Sequence, residues 1–503
     1  MQNFLNLRER IAMNLANRLL KAGALSPEQL GQALHRQRKF RGFLANHLLD
    51  LGLMEPEELG KFVTHYPPGP QTLEEIGLPE ELLSQLFLKH GLSRFAFSVR
   101  EMAEALKIPG HLVELLIEDL QQQKFIDISP RSALRTGPDH LAMENRYILS
   151  DSGKKSAAQH LESNSYVGPV PVTIEDYWDW VETQTIQNVH LEEARLREAF
   201  KDYVVPESLF DEIGPAFASG RSVFLFGPSG NGKTVLARCI AEVFEDPVYI
   251  PFALYVHGQI IQVFDESVHQ PVAPPQDATA PRRDLRWVWC RRPLVIAGGE
   301  MTMAALDPKY SPVSKYYEAP HQILANNGVF MVDDFGRQRI SPRELLNRWM
   351  YPLESRQDFC SLHTGQQFAV PFDQMVIFCT NLDPASLADE AFFRRIPHKV
   401  FLGYVSPEQY LEIFRRACGQ YGLNFDQKVV EEILELFYFQ ASPSRPLRAC
   451  HPRDLIEKLL DRARFFRQVP QLTYQDLALA CQSYFFRSMG ILDHDETSKE
   501  PKP

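Results

Sequence analysis

Residues 227–234 read Gly-Pro-Ser-Gly-Asn-Gly-Lys-Thr, a complete phosphate-binding loop of the Walker A type. Residues 222–226 before it are apolar and β-prone, and residues 234–241 after it have helical spacing, so the glycines fall at a strand-to-helix turn. Such a turn presents main-chain N–H groups and the positive end of a helix to phosphate oxygens. We predict that Lys233 reaches the β- and γ-phosphates and that Thr234 is a ligand of Mg²⁺. The predicted nucleotide contacts are Gly227, Pro228, Ser229, Gly230, Asn231, Gly232, Lys233 and Thr234.

Two further strand patterns downstream of this loop end in polar side chains. Residues 329–332 form a buried-strand pattern followed by Asp333 and Asp334, an arrangement that carries one carboxylate to Mg²⁺ and a second to the attacking water. Asp333 is the predicted metal ligand, and Asp334 is the predicted base. Residues 375–380 form another apolar strand, and Asn381 follows it at the carboxyl end, where parallel sheets bind ligands. We predict that Asn381 orients water against the γ-phosphate.

Three arginines complete the set of candidate residues. Arg394 and Arg395 form a pair beyond the second polar strand end, and Arg453 lies at the start of a late helix. Each also has an ordinary interpretation, since arginines without a functional partner are mostly exposed. The pair could be a solvated surface pair, and Arg453 could form a salt bridge at a helix N-terminus.

In this order and on these elements, the residues resemble the motifs of AAA+ ATPases over about residues 185–490. Residues 333–338, 345–349 and 380–382 are similar to a bacterial branch of MoxR-like character. The resemblance implies ATP hydrolysis with Mg²⁺, a parallel α/β core with flanking helices, a helical lid and a homo-oligomeric ring, here expected to be a hexamer. It makes Asn381 sensor 1, Arg394 or Arg395 an arginine finger that acts on a neighbouring subunit, and Arg453 sensor 2.

One position departs from the resembled pattern. Most family members have Asp-Glu where this chain has Asp333 and Asp334, and the aspartate side chain is one methylene shorter than glutamate. A shorter carboxylate reaches less far toward the lytic water. We therefore expect hydrolysis that is slowed but present.

The composition is that of a large protein of several domains that lies in the cytoplasm. The 503 residues are 44% hydrophobic and 23% charged, and no apolar run approaches the length that spans a bilayer. The first ten residues lack the pattern of a signal peptide, and we expect no membrane insertion. The seven cysteines are widely spaced, which favours buried thiols over disulfides or zinc. A net charge of −11 argues against nucleic acid as the main partner.

The N-terminal region contains an internal repeat of helix, glycine turn and helix. Its apolar pattern recurs 29 residues later, with Leu15 matched by Leu44 and Gly23 by Gly52. The repeat resembles the N-terminal domain of type II secretion and type IV pilus assembly ATPases, some of which bind cyclic di-GMP through Arg-Leu-Gly openings and a glutamine. Here the openings have lost the arginine and glycine, and the retained glutamine is Gln37. The residues at the changed positions are Asn14, Ala16, Phe43 and Ala45. We expect a protein-docking domain that binds little or no cyclic di-GMP.

The next region has the pattern of a winged helix: three short helices, a turn-rich two-stranded stretch over residues 125–149, and a helix opened by Ser150 and Asp151. The helix that would enter DNA, over residues 111–123, carries Glu114, Glu118 and Asp119 and no lysine or arginine. A helix in the major groove requires the opposite charge. We therefore favour protein docking over DNA binding.

We predict a multidomain α/β protein. Its parts are a tandem helical repeat (residues 1–66), a winged helix (72–163), a connector (164–200), an AAA+ P-loop core (201–403), a helical lid (404–490) and a disordered tail (491–503). The leading function is an ATP-driven remodelling or assembly motor that acts on an unidentified protein partner, with a link to secretion or pilus systems. The alternatives are a nucleotide switch with little turnover and a DNA-binding ATPase that acts through the winged helix.

Overall fold

A computed structural model describes residues 19–20, 22–40, 44–59, 66–129, 145–188, 191, 193–244, 246–273, 283–387 and 390–485. The chain is a mixed α/β protein with a parallel central sheet and many helices. Within the described residues, no helix is long and apolar enough to cross a membrane. The changed positions Asn14, Ala16 and Phe43, the middle of the two-stranded stretch and the C-terminal tail lie outside the described residues.

The N-terminal helices are α1 (Pro27–Phe40), α2 (Leu44–Asp50) and α3 (Pro56–Leu59). Two equivalent turns precede α1 and α3. Gly23 and Gly52 have positive φ angles of 67° and 61°, and their N–H groups donate to Leu20 and Leu49 at 3.0 and 2.9 Å. Glycine is favoured where a helix ends in this left-handed conformation. The apolar side chains of both halves share one core, formed by Leu19, Leu25, Leu30, Ala33, Leu44, Leu48, Met54 and Leu59.

A second helical module follows. Its elements are α4 (Glu80–Leu92), α5 (Val99–Leu106), α6 (Gly110–Gln122), β1 (Ile126–Ile128), β2 (Tyr147–Leu149) and α7 (Asp151–Ser163). Strands β1 and β2 pair antiparallel. Ser150 caps α7 by accepting the N–H of Gly153 at 3.0 Å. The buried amine of Lys89 donates to the main-chain carbonyls of Asn164 and Tyr166 at 2.8 and 3.2 Å, which fixes the connector against α4.

The rest of the described chain forms two five-stranded sheets, two two-stranded antiparallel pairs and the helices around them. The strands are β3 (Val172–Thr173), β4 (Val223–Phe226), β5 (Val248–Pro251), β6 (Ala253–Val256), β7 (Gln259–Gln262), β8 (Trp287–Cys290), β9 (Leu294–Ala297), β10 (Lys309–Tyr310), β11 (Tyr317–Glu318), β12 (Val329–Val332), β13 (Gln357–Ser361), β14 (Gln367–Pro371), β15 (Met375–Thr380) and β16 (His398–Phe401). The antiparallel pairs are β5 with β8 and β13 with β14. The helices are α8 (Ile174–Thr183), α9 (Glu193–Ala199), α10 (Glu207–Ala218), α11 (Lys233–Val243), α12 (His321–Leu324), α13 (Pro342–Ser355), α14 (Pro384–Leu387), α15 (Glu390–Phe393), α16 (Pro407–Gln420), α17 (Gln427–Leu434), α18 (His451–Phe466) and α19 (Tyr474–Tyr484).

The central sheet has the strand order β16-β4-β15-β12-β9, and every neighbouring pair is parallel. Its inner strands β4, β15 and β12 are almost entirely apolar because both faces of a parallel sheet are covered. One face packs α11 through Leu236 and Ile240. The other face packs Trp349 of α13 against Phe330 and Phe378.

The second sheet, β10-β11-β7-β6-β3, brings the connector into the core region. Strand β3 of the connector pairs in parallel with β6, and α8 packs Tyr177 and Val181 into the same apolar cluster. Ala253 and Ile260 of this sheet also pack against the core of the module formed by α4 to α7. The connector is therefore a strand and helices packed on the core, in addition to the extended segment that the sequence predicts.

A buried ion pair joins these parts. The guanidinium of Arg286 donates to both carboxylate oxygens of Asp284 at 2.8 to 3.0 Å, and both side chains are 3% exposed. The same guanidinium donates to the carbonyls of Ile76 and Pro171, at 3.5 and 3.2 Å. One arginine, directly before β8, thus links the β5–β8 pair to the helical module and to the connector.

We expect Arg286→Met to lower the free energy of unfolding by about 3–5 kcal/mol, because it leaves the carboxylate of Asp284 buried without its cation. Chemical denaturation of the full chain measures this change. Arg291→Met is the matched control, since Arg291 is exposed, and its effect should stay within about 0.5 kcal/mol. Equal destabilisation by the two variants would contradict this role for Arg286.

Candidate nucleotide-binding site

The loop between β4 and α11 has the backbone that its glycines permit. Gly227, Gly230 and Gly232 have φ angles of 139°, 81° and 85°. A Cβ atom on Gly227 would lie 2.2 Å from the carbonyl oxygen of Leu402, so only glycine fits there. Among the described residues, no acceptor bonds to the main-chain N–H groups of residues 229–233. These donors, together with the N-terminus of α11, form a cradle suited to an anion.

Lys233 is the first residue of α11, and its side chain folds back over the loop. Its Nζ donates to the carbonyl oxygens of Gly227 and Pro228, both at 2.8 Å. Burial lowers the pKa of Lys233, while the carboxylates of Asp333 and Asp334 oppose this shift. Two carboxylates thus share the environment of this amine, as a phosphate-binding lysine beside a metal site requires.

Thr234 and Asp333 lie against each other, although 99 residues separate them in sequence. The hydroxyl of Thr234 donates to the two carboxylate oxygens of Asp333 at 3.0 and 3.2 Å. Adjacent ligands of an octahedral Mg²⁺ ion, each about 2.1 Å from it, lie about 3 Å apart. The hydroxyl oxygen of Thr234 and the nearer carboxylate oxygen of Asp333 are therefore spaced as two adjacent protein ligands of a magnesium ion would be.

Asp334 occupies a left-handed turn directly after β12. Its φ is 49°, and its N–H donates to the carboxylate of Asp333 at 3.0 Å. The side chain is exposed and lines the cavity beside the loop. Aspartate and asparagine tolerate this backbone region better than longer side chains do, because their short polar groups bond locally. This turn gives a physical reason for aspartate where the resembled family has glutamate.

The turn is held by a residue that sequence reasoning missed. The amide of Gln338 donates to the carbonyl of Asp333 at 2.7 Å and accepts the N–H of Gly336 at 2.8 Å. Phe335, which directly follows Asp334, donates its N–H to the carbonyl of Cys379 on β15 at 2.7 Å. The Gly336–Gln338 spacing signals a turn, but the partner of the glutamine depends on the folded backbone.

Asn381 follows β15, the strand that separates β4 from β12. The amide thus lies between the strand that ends at the phosphate loop and the strand that ends at Asp333. Its Oδ1 is buried and has no hydrogen-bond partner among the described residues, and the residue lines the cavity. A buried acceptor without a partner is costly, so this oxygen is available to orient a ligand or a water molecule.

The lid helices α16 to α19 contact the loop at one segment. Arg448 Nη1 donates to the hydroxyl of Ser229 at 3.3 Å, and the N–H groups of Ala449 and Cys450 donate to Asn231 Oδ1 and Gly230 O at 3.2 and 2.9 Å. Arg448 was not singled out from the sequence, since no local pattern indicates what this segment contacts.

Arg453 lies one turn into the following helix and borders the same cavity. Its side chain is 64% exposed, and its guanidinium is 3.7 Å from the carboxylate of Glu457. The ordinary salt-bridge interpretation of this arginine thus has a partner in the structure. Its assignment as sensor 2 stays a prediction.

The paired arginines lie away from their own chain's cavity. Both follow α15, and neither borders the cavity beside the phosphate loop. Arg395 pairs with Glu354 at 3.2 Å. Arg394 is exposed, and no described carboxylate lies within ion-pair distance of it. The structure therefore distinguishes two adjacent side chains that the sequence could not orient, although Arg394 was the preferred finger and Arg395 the second choice.

The cavity itself has a volume of about 600 Å³ and lies between the sheet edge and the lid. Its lining includes the loop together with Asp333, Asp334 and Asn381. The lining also includes apolar side chains, namely Val204, Val205, Leu209, Leu402 and Ile413, and further polar ones such as Asp202, Glu212 and Gln409. Arg416 of the lid donates to the carbonyls of Lys201 and Tyr203 at 2.7 and 3.2 Å, which ties the lid to this segment. A lining of polar groups and apolar side chains suits a molecule with a phosphate chain and a planar base.

Comparisons with known proteins match only parts of this arrangement. One family model matches residues 406–483, within the lid, and is described as a domain of unknown function, DUF8689. No curated protein matches the chain. Among solved structures, the chain is similar to the RuvB Holliday junction branch migration motor of Thermotoga maritima, at 13% identity and a TM-score of 0.32 over 57% of this chain and 73% of that one. It is also similar to NtrX of Brucella abortus in complex with ATP, at 16% identity and a TM-score of 0.33 over 57% of this chain and 60% of that one. Scores this low assign neither a family nor an activity to the chain.

We expect Lys233→Ala to weaken the binding of Mg²⁺-ATP by about tenfold or more, because a charge-assisted contact to phosphate contributes about 1.5–3 kcal/mol. Isothermal titration calorimetry measures the affinity, and circular dichroism checks that the fold is retained. Lys428→Ala removes an exposed lid lysine and should bind like the parent chain. Unchanged affinity in Lys233→Ala would show that the loop does not hold the phosphates.

Proposed function

We propose that the chain binds ATP with Mg²⁺ at the carboxyl edge of its parallel sheet and hydrolyses it, as the resemblance to AAA+ ATPases implies. One observation carries the proposal. The loop N–H groups and the Oδ1 of Asn381, which have no hydrogen-bond partner among the described residues, border the same cavity as the oxygens of Thr234 and Asp333, which lie 3.0 Å apart. Each group matches a different part of a nucleoside triphosphate bound with a metal ion and a water molecule.

In this proposal, each side chain has one task. Lys233 would leave the carbonyls of Gly227 and Pro228 to contact the β- and γ-phosphates, and Thr234 and Asp333 would hold Mg²⁺. A bound Mg²⁺ neutralises charge that develops on the phosphate oxygens. Asp334 accepts a proton from the attacking water, and Asn381 holds that water in line with the bond that breaks.

The base assignment can be tested at Asp334. Asp334→Asn keeps the shape and the left-handed turn but removes the base, so ATP should still bind while phosphate release falls by about 100-fold or more. Asp334→Glu restores reach and should retain turnover, at a cost in folding stability of roughly 1 kcal/mol from the positive φ. Steady-state phosphate release and nucleotide affinity separate these effects. Turnover by Asp334→Asn at the parent rate would identify another residue as the base.

The active form is proposed to be a ring of subunits, with hexamer as the expected size. Arg394 supports this proposal, because the residue is exposed and does not border its own chain's cavity. In a ring, its guanidinium would contact the γ-phosphate bound by the next subunit. An arginine finger of this kind accelerates phosphoryl transfer by about 10³–10⁵ in other systems.

Mixing two inactive variants tests the shared site. Arg394→Ala should bind ATP and lose hydrolysis, and Lys233→Ala should bind ATP more weakly and also lose hydrolysis. A mixture of the two should recover activity, because some interfaces then combine an intact loop with an intact finger. Arg395→Ala is the matched control and should keep most activity, since Arg395 pairs with Glu354 of its own chain. Co-assembly without recovered activity, or full activity of Arg394→Ala, would contradict a finger that acts between subunits.

The proposed work of the motor is the remodelling or assembly of a protein partner in the cytoplasm. The partner would dock on the N-terminal repeat and on the winged-helix-like module, and the resemblance of residues 11–63 suggests a secretion or pilus component. Helix α6 exposes Glu114, Glu118 and Asp119, and this negative charge disfavours DNA binding on that face.

The alternative is a nucleotide switch with little turnover. The left-handed turn at Asp334 supports this alternative, because it limits the reach of the carboxylate toward the attacking water. Negligible phosphate release by the parent chain would favour the switch over the motor.

A further inference from the structure

The acidic turn after β12 is joined to the end of β15 through Phe335. Both polar groups of its main chain bond to that strand: the N–H donates to Cys379 O at 2.7 Å, and the carbonyl accepts the hydroxyl of Thr380, also at 2.7 Å. The buried ring of Phe335 packs edge-on against Phe378 of the same strand, with the ring centroids 5.1 Å apart. The turn therefore cannot move along β15 without breaking these contacts.

The hydroxyl of Thr380 makes a second bond on the far side of Asn381. It accepts the N–H of Leu382 at 3.1 Å, so the hydroxyl is used both as a donor and as an acceptor. The side chain of Thr380 is fully buried. Phe335 directly follows Asp334, and Leu382 directly follows Asn381. One buried hydroxyl thus connects the main chain after the proposed base to the main chain after the buried amide.

The same two segments also fit each other closely at Gly336. Its φ is 103°, and a Cβ atom there would lie 2.7 Å from Cδ1 of Leu382 and 2.7 Å from Cδ2 of Leu387. Glycine is required where a left-handed backbone is approached this closely. The bond from Gln338 to Asp333 O holds the turn from within, so the turn and the strand end pack as one unit.

We propose that Thr380 is a positioning residue whose hydroxyl sets the separation between the carboxylate of Asp334 and the amide of Asn381. This inference rests on the proposed hydrolysis of ATP, in which these two groups act on the same water molecule. Small misplacements of such groups cost large factors in rate. Thr380 itself does not line the cavity, whereas Asp334 and Asn381 do, so the hydroxyl acts through them.

The positions of the two bonds predict a loss of turnover without a loss of affinity. The proposed contacts to the phosphates and Mg²⁺ come from the phosphate loop, Thr234 and Asp333, whereas the hydroxyl bonds to Phe335 and Leu382. Loss of the hydroxyl should therefore slow phosphate release and leave the dissociation constant for ATP nearly unchanged. A threonine that only stabilised the fold would, when replaced, weaken binding together with turnover.

The test compares Thr380→Val with Thr380→Ser in the full chain with Mg²⁺-ATP. Valine keeps the shape and removes the hydroxyl, so phosphate release should fall by about 10- to 100-fold while ATP affinity stays close to that of the parent chain. Serine keeps the hydroxyl and should retain most of the turnover. Thr364→Val is the matched control, because it removes an exposed threonine hydroxyl between β13 and β14, and it should hydrolyse ATP like the parent chain.

A double variant shows whether the hydroxyl acts through the proposed base. Asp334→Asn already lacks the base, so the addition of Thr380→Val should lower its residual rate by a much smaller factor than it lowers the rate of the parent chain. Equal factors in the two backgrounds would mean that Thr380 acts independently of Asp334, and they would overturn the inference.

The remaining outcomes separate this inference from the proposed function. If the parent chain hydrolyses ATP and Thr380→Val does so at the same rate, the positioning role alone is wrong. If Thr380→Val does not fold by circular dichroism, Thr380→Ala is measured in its place with the same expectation. Failure of both to fold, or loss of ATP binding in the one that folds, would make Thr380 a structural residue and overturn the inference. If the parent chain binds ATP and releases no phosphate, the proposed hydrolysis and the inference are both wrong.

Discussion

The carboxyl edge of the central sheet is the constraint on which the rest of the site depends. Parallel strands end on the same side, so the loop after β4, the carboxylates after β12 and the amide after β15 meet at one place. Because β15 lies between the other two strands, Asn381 lies between the loop and Asp333. The bond from Phe335 to Cys379, at 2.7 Å, ties the acidic turn to this middle strand. A shift of one strand would separate groups that the proposed function requires at a single phosphate.

A second constraint lies in the backbone of the two turns that carry the chemistry. The phosphate loop needs three glycines at positive φ, and one of them lies against Leu402 so closely that a side chain would not fit. The acidic turn needs positive φ at Asp334, where a short side chain is easier to place than a long one. The same local geometry that exposes the carboxylate to the cavity therefore limits its reach. In the proposed function, this compromise would connect the backbone of the turn to the rate of ATP hydrolysis.

The parts outside the sheet are attached by buried polar groups as well as by apolar contact. Arg286 joins the β5–β8 pair to the connector and the helical module, and Lys89 fixes the connector to α4. The lid is attached in two places. Its residues 448–450 contact the phosphate loop, and its Arg416 contacts the segment 201–203. Such bonds are directional, so a movement of the lid changes donors and acceptors at the loop. Movement of the helical module would reach the core through the strand β3.

The sequence by itself determined the features that depend on residues close together in the chain. The glycine spacing of residues 227–232, the apolar strands before Asp333 and Asn381, and the capping serine at position 150 all act within one turn or strand. The tertiary structure decided which distant residues meet. It separated Arg394 from Arg395 by the contact with Glu354, it made the connector a strand of the second sheet, and it placed Arg448 on Ser229, 219 residues away. Local patterns encode backbone conformation, whereas these contacts depend on how whole elements pack, and no spacing in the sequence records that packing.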